Sequence, residues 1–247
     1  MKADPTAQLQ LLDLQTLDST LDRLAHQRAT LPEIAELATL AERGKALDDE
    51  TVLAETELSD LGRAQAKLEA DIEVVEQRQA RDRKRLDDGL ITNAKELEVL
   101  QHELESLARR KSTLEDEELE LMQSAEDAQR RLDVANAELA EVASATEAAQ
   151  GRLGAAEATI DAALASTRTH RGELAPSLPA DLVALYEKQR AANAGVGAAM
   201  LLRRRCEGCH LELAGAELAD VRAAAADEVL RCESCGRVLV RTAESGL

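Results

Sequence analysis

The chain has 247 residues and carries 48 Asp and Glu against 30 Lys and Arg, a net charge of −18. It holds no Phe or Trp and a single Tyr, Tyr186, which argues against a large globular core and assigns the Leu and Ala content to narrow helical seams. The acidity disfavours indiscriminate binding of nucleic acid along those helices, the longest apolar run is too short to span a bilayer, and no hydrophobic leader follows Met1, so a cytoplasmic protein without membrane association is expected.

The first helix opens at Asp4-Pro5, a cap residue followed by the proline favoured at the first helical position. Leu14, Leu17, Leu21, Leu24 and Leu31 follow on a 3-4 spacing. At Thr30-Leu31-Pro32-Glu33 a capping box with proline in its first turn predicts a kink near 30–33 in a continuing helix. The seam resumes at Leu37 and runs to Leu86, failing at Gln79 and Asp82. Asp87-Asp88-Gly89-Leu90-Ile91-Thr92-Asn93 then carries turn chemistry and a fresh helix cap, a tip near 87–93. A second seam runs from Leu97 to Ala163, and all of its positions except Lys111, Glu118 and Thr146 are apolar. A pattern sustained that long predicts a coiled coil and not a globular helix.

Folding back at the tip places Leu86 by Leu97, Leu68 by Leu114, Leu61 by Leu121 and Leu47 by Ala135. The same register sets Gln65 opposite Glu118 and Gly44 opposite Leu139. The matched arms favour an intramolecular hairpin in a monomer over residues 1–175. Cations gather near the tip, at Arg81, Arg83, Lys84, Arg85 and Lys95 with Arg78 beside them. They read either as a solvated face balanced by Asp82, Asp87, Asp88 and Glu96 or as a contact point for phosphate or an acidic protein. Arg109, Arg110 and Lys111 lie opposite residues 71–76 and are expected to form interhelical ion pairs. His26, His102 and His170 stand isolated on helices.

Beyond His170 the pattern ends at Gly172, Pro176 and Pro179. Residues 176–196 read as a connecting helix and linker, with Leu182, Leu185 and Tyr186 on the face that docks the last module to the hairpin base. That module, 197–247, carries the only cysteines, Cys206, Cys209, Cys232 and Cys235, as two Cys-x-x-Cys pairs. A two-residue gap lets two thiolates of one turn converge on one ion, so the quartet predicts one structural Zn²⁺ in a zinc ribbon. The alternative, a pair of disulfides, fits poorly with a reducing compartment. Gly208 and Gly236 sit where positive φ or close backbone approach is needed. His210 adjoins Cys209 and reads as a bystander, since four thiolates already close the tetrahedron.

Strands are expected at 198–202, 211–213, 229–231 and 237–241, with a helix over 217–228. Arg203, Arg204, Arg205, Arg231 and Arg237 either offset the negative charge of a four-thiolate zinc site or form a face for RNA or DNA. With no interleaved aromatic for stacking, such a face would read phosphate or shape. No nucleophile, phosphate loop or paired-carboxylate cleft can be identified, so no catalytic residue is assigned.

The segment 88–97, DGLITNAKEL, with LEDEELELM at 114–122, Leu178-Pro179 with Tyr186, and the Cys quartet ending in Cys-Gly-Arg resembles the bacterial C4-type zinc-ribbon proteins with an N-terminal coiled-coil hairpin. The resemblance spans nearly the whole chain and implies a mostly α fold, a monomeric helical hairpin with a small C-terminal α+β ribbon holding one zinc. It also implies a non-enzymatic adaptor or chaperone, because some members serve an alternative sigma factor and secretion components. One member is linked to messenger RNA, which keeps nucleic-acid binding as the alternative. Asp88 departs from the family, which often has an aromatic before the tip glycine, so fold transfers better than partner.

Overall fold

Three helices form the hairpin. In the computed structural model, which describes residues 1–89 and 91–247, α1 spans Pro5–Ala29, α2 spans Pro32–Asp87 and α3 spans Ala94–Leu174. Asp4 caps α1 by accepting the Thr6 amide at 2.8 Å, with Pro5 at the first helical position. At residue 30 the expected kink is a full interruption, with one helix ending and another beginning. The Thr30 amide bonds the carbonyls of His26 and Gln27, and Pro32 disfavours helical backbone at Leu31 while leaving no N–H to continue the ladder. Gly89 takes φ +63 after α2, and Asn93 caps α3 by accepting the Lys95 amide at 3.0 Å. Leu90, inside the expected tip, lies outside the described residues.

The chain divides into two compact units, residues 35–150 and residues 1–34 together with 151–247. In the first, burial follows the heptads. Leu47, Ala54 and Leu68 of α2 and Leu114, Ala128 and Ala135 of α3 are buried, while the residues on either side of each are exposed. Arg43 pairs with Glu138, Arg78 with Glu103, and Lys111 with Glu76 at 2.5 Å. Of the three cations expected to cross at 109–111, Lys111 does so, while Arg109 and Arg110 are exposed. Two seam expectations need correction. Gln65 donates at 3.1 Å to Glu69 of its own helix instead of crossing to Glu118, because an i, i+4 partner is reached without distorting the seam. A Cβ on Gly44 would lie 3.7 Å from Val142, one turn along from Leu139.

In the second unit, α3 ends in a 3₁₀ turn, Ala175–Ser177, and α4 spans Ala180–Ala192. The ribbon that follows contains β1 (Ala198–Leu202), β2 (Arg205–Cys206), α5 (Gly215–Ala223), β3 (Leu230–Arg231) and β4 (Val238–Val240). Its sheet has the order β2-β1-β4-β3, with β1 and β4 parallel and the two outer pairs antiparallel. One apolar core joins α1 through Leu11 and Leu14, α4 through Leu182 and Tyr186, and the sheet through Ala198, Val238 and Val240. The ribbon therefore shares its core with the hairpin base. A second core, inside the ribbon, contains Leu201, Leu213, Val221 and Leu239 with Cys206 and Cys232.

Candidate metal centre

Each Cys-x-x-Cys pair lies on a tight turn leaving a short strand, and the two turns are built alike. The amide of His210 bonds the carbonyl of Cys206 at 2.7 Å, and that of Gly236 bonds the carbonyl of Cys232 at 2.7 Å. The residue after each second cysteine turns left-handed, His210 at φ 60 and Gly236 at φ 73. At Gly208 a Cβ would lie 2.6 Å from Cδ of Arg237, so that position requires glycine for close approach.

Topology brings the two turns together. The parallel pairing of β1 with β4 aligns Ala198 with Val238 and Met200 with Val240, which places the strands leading to each turn in one sheet. The four Sγ atoms then lie within 4.8 Å of one another. Cys206 Sγ is 4.0 Å from Cys235 Sγ, and Cys209 Sγ is 3.8 Å from Cys232 Sγ. A ZnS₄ tetrahedron with Zn–S bonds near 2.3 Å has S···S edges of about 3.8 Å, so the donors already sit at the spacing a zinc ion needs. They are too far apart for disulfides.

Burial pushes the Cys206 thiol up to about 12, against hydrogen bonds from the Cys209 and Gly208 amides that pull it down. Burial also raises Cys235, but hydrogen bonds from the backbone and side chain of Arg237 and from neighbouring thiols outweigh it and bring that group down to about 7. Soft thiolate donors at tetrahedral spacing and amides aimed at sulfur fit one structural zinc held by Cys206, Cys209, Cys232 and Cys235. His210 is exposed and outside this donor group.

The arginines around the site have separate fates. Arg237 is half-buried and donates to the carbonyls of Val196 at 3.0 Å and Asn193 at 3.1 Å, tying the second knuckle to the end of α4. Arg231 donates to the Gly236 carbonyl at 3.2 Å, and Arg205 pairs with Glu207 at 2.7 Å. Arg203 and Arg204 occupy the two central positions of the β1–β2 hairpin turn, exposed, with φ of 46 and 68. Their amides bond the carbonyls of Glu244 and Ser245, both at 2.9 Å. At the hairpin tip, Arg85 lies 3.9 Å from both Asp82 and Glu96, while Arg81, Arg83, Lys84 and Lys95 are exposed.

Four positions escaped sequence reasoning. Glu217, buried on α5, accepts the Glu233 amide at 2.9 Å and so holds the second knuckle beside Cys232. Arg241 donates to the carbonyls of Val221, Ala224 and Ala225, capping the end of α5. Asp18, on α1, is 1 % exposed and accepts from Tyr186 Oη at 2.7 Å and Arg171 Nε at 2.6 Å. Beside it, Gln15 accepts the Gly197 amide at 2.7 Å and donates to the Gly195 carbonyl at 2.9 Å. Gln8, Leu11, Gln15 and Asp18 form a 3-4 stripe with polar members, a signal that the leucine seam beside it obscured. Tyr186 is accordingly a core residue.

Comparison with known proteins places this geometry. The CT398-like coiled coil hairpin domain family matches residues 14–194, and the C4-type zinc ribbon domain family matches residues 205–239. The chain belongs to the CT398-like coiled-coil hairpin family. Uncharacterized protein Rv2229c of Mycobacterium tuberculosis is 38% identical over 241 residues, covering 98% of each chain. Uncharacterized protein ML1638 of Mycobacterium leprae is 31% identical, over 91% of this chain and 96% of its own. A solved structure from Mycobacterium smegmatis aligns over 98% of this chain and 100% of that one at 36% identity, with a TM-score of 0.83. CT398 from Chlamydia trachomatis, at 20% identity, covers 96% of this chain and 98% of its own with a TM-score of 0.71, a likeness of fold alone. Among the described residues of this CT398-like hairpin protein, no helix is long and apolar enough to cross a membrane.

Proposed function

We propose that this protein is a non-enzymatic adaptor or chaperone of the cytoplasm, whose hairpin and ribbon present surfaces to a protein partner while zinc acts only as a structural clamp. The observation that carries this reading is the closed donor set: four thiols at tetrahedral spacing, set against the ribbon core, leave no coordination position for a substrate or an activated water. The polar groups buried at the hairpin base are committed to one another and to the ribbon, while the exposed tip cations Arg81, Arg83, Lys84 and Lys95 are displayed. Affinity capture comparing the wild type with a variant carrying glutamate at those four positions tests the tip. Loss of a reproducibly captured protein supports the reading, and identical capture removes the tip from it.

A second reading, nucleic-acid binding, is favoured by one observation. Arg203 and Arg204 stand exposed in left-handed backbone where Asn-Gly would fit with less strain. Titration of RNA and duplex DNA over a salt series separates the two. Affinity that falls linearly with salt on logarithmic axes and disappears without those arginines establishes the second reading, and no saturable binding supports the first.

A further inference from the structure

The hairpin flank between α2 and α3 is closed by ion pairs except at one place. Positions 43, 50, 57, 64, 71, 78 and 85 of α2 are spaced by seven and share one edge of the seam. Positions 96, 103, 110, 117, 124, 131 and 138 form the matching edge of α3. Arg43 with Glu138, Arg78 with Glu103 and Arg85 with Glu96 bridge this edge at its two ends. Between them the ladder lapses. Ala64 has no charge to offer Glu117, Ser124 has none to offer Glu57, and Glu57 instead takes Arg131 from one heptad away at 2.6 Å.

The gap is an open groove. One stretch of about 620 Å³ is lined by Leu53, Leu61 and Ala64 with Glu57, Asp60 and Arg131. A second, of about 510 Å³, begins at the same Ala64 and continues over Leu68, Leu114 and Leu121, rimmed by Asp71, Glu117 and Glu120 together with Lys67 and Arg110. Leu53 is 70% exposed, and Leu61 and Leu121 are only half-buried although they occupy seam positions. From Leu53 to Asp71 the groove follows about 27 Å of α2 at 1.5 Å per residue, room for roughly five turns of another helix.

Its borders are acidic on balance. Residues 53–71 carry five carboxylates against Arg63 and Lys67, and residues 110–131 carry seven against Arg110, Lys111, Arg130 and Arg131. Of these cations, Arg63, Arg130 and Arg131 are already paired with Asp60, Asp127 and Glu57. We infer that this groove is a docking site for an amphipathic helix of a partner protein, one with an apolar stripe at 3-4 spacing bordered by Lys and Arg. Leucines seven residues apart on two antiparallel helices offer holes for such a stripe. The borders select its basic edges. A second copy of this chain is disfavoured as occupant, because its helices would set carboxylates against carboxylates. This inference rests on the adaptor reading and gives that partner a chemistry.

The test uses the full chain and two labelled synthetic peptides of equal composition. One has leucines on a single helical stripe flanked by lysines, and the other is shuffled so that the leucines surround the helix. Fluorescence anisotropy at physiological salt should show the striped peptide binding at least about tenfold more tightly than the shuffled one. Leu53→Asp, and separately the pair Glu117→Lys with Glu120→Lys, should each weaken it about tenfold, with circular dichroism unchanged because these side chains are exposed. Equal binding of the two peptides, undiminished binding by either variant, or no saturable binding overturns the assignment. So does a concentration-dependent dimer, seen by sedimentation, that Leu53→Asp abolishes, since the occupant is then a second copy. The adaptor reading fails on a different result, specific salt-dependent nucleic-acid binding through Arg203 and Arg204, to which the peptide assay is blind.

Discussion

Replacing Asp18 with Ala tests whether the buried carboxylate holds the hairpin base together. The substitution removes the acceptor for Tyr186 Oη, Arg171 Nε at 2.6 Å and the longer-range partner Arg190 at 3.7 Å. Tyr186 is fully buried, so its hydroxyl is left without a partner, at about 1–3 kcal/mol. Stranding a buried charge costs about 3–5 kcal/mol, but that figure must be discounted here. Arg171 and Arg190 keep 27% and 25% of their side chains exposed, and retain Glu187 and Asp22 as partners. The expected loss is therefore roughly 2–4 kcal/mol for Asp18→Ala. For Asp18→Asn, whose amide oxygen still accepts from the hydroxyl, it is about 1–2 kcal/mol. Because Tyr186 is the only aromatic residue, tyrosine fluorescence during urea unfolding reports on this base alone. A loss below about 0.5 kcal/mol for Asp18→Ala, or equal losses for the two variants, would refute the reasoning.

Burial first, and then the bond to Asp18, hold the Tyr186 hydroxyl well above its ordinary value of 10.0. The neutral form is thus favoured in the folded state, so this contribution is complete below pH 10 and declines at higher pH, where only the unfolded chain ionises. The slope is about 1.4 kcal/mol per pH unit, and Tyr186→Phe should remove it from alkaline unfolding curves followed by circular dichroism. Cys232→Ser, or zinc removal by chelation, should unfold the ribbon and loosen α1 and α4, which share its core, while amide exchange within residues 35–150 stays protected. Collapse of protection in that unit would show that the two are not independent. Glu217→Ala should destabilise the ribbon by about 1–3 kcal/mol and speed zinc loss to a chelator, whereas Glu217→Gln should largely rescue both, because its amide oxygen can still accept the Glu233 amide. Substituting Arg203→Asn with Arg204→Gly should stabilise the ribbon by about 1–2 kcal/mol by relieving two left-handed residues, and an unchanged melting temperature would mean that the turn carries no strain.

Much of this molecule was legible in one dimension. The heptads of α2 and α3, the Asp4-Pro5 start, the Asn93 cap and the spacing of the four cysteines are properties of short stretches of chain. Helical period and thiolate geometry act on neighbours, so such stretches can be read without knowing what they meet. Thr30 to Pro32 was visible as a disturbance, but whether it bent or broke the helix depended on where backbone groups found partners.

What only tertiary structure decided lies between residues far apart in sequence. The parallel pairing of β1 with β4, which brings the two knuckles to one site, joins segments about 40 residues apart through backbone atoms that carry no side-chain signature. Asp18 meets Tyr186 across 168 positions, and a buried carboxylate is indistinguishable in sequence from the many solvated ones on an acidic chain. The same holds for the arginines. Arg237 is drawn inward by carbonyls at the end of α4, while Arg203 and Arg204 lie exposed on a turn whose strain appears only in three dimensions, Arg204 donating to the Gly246 carbonyl at 3.3 Å. Composition and period determined that this chain would form a helical hairpin with a zinc ribbon. Which charges were consumed in holding it together, and which remained exposed, depended on distance and burial in the folded state.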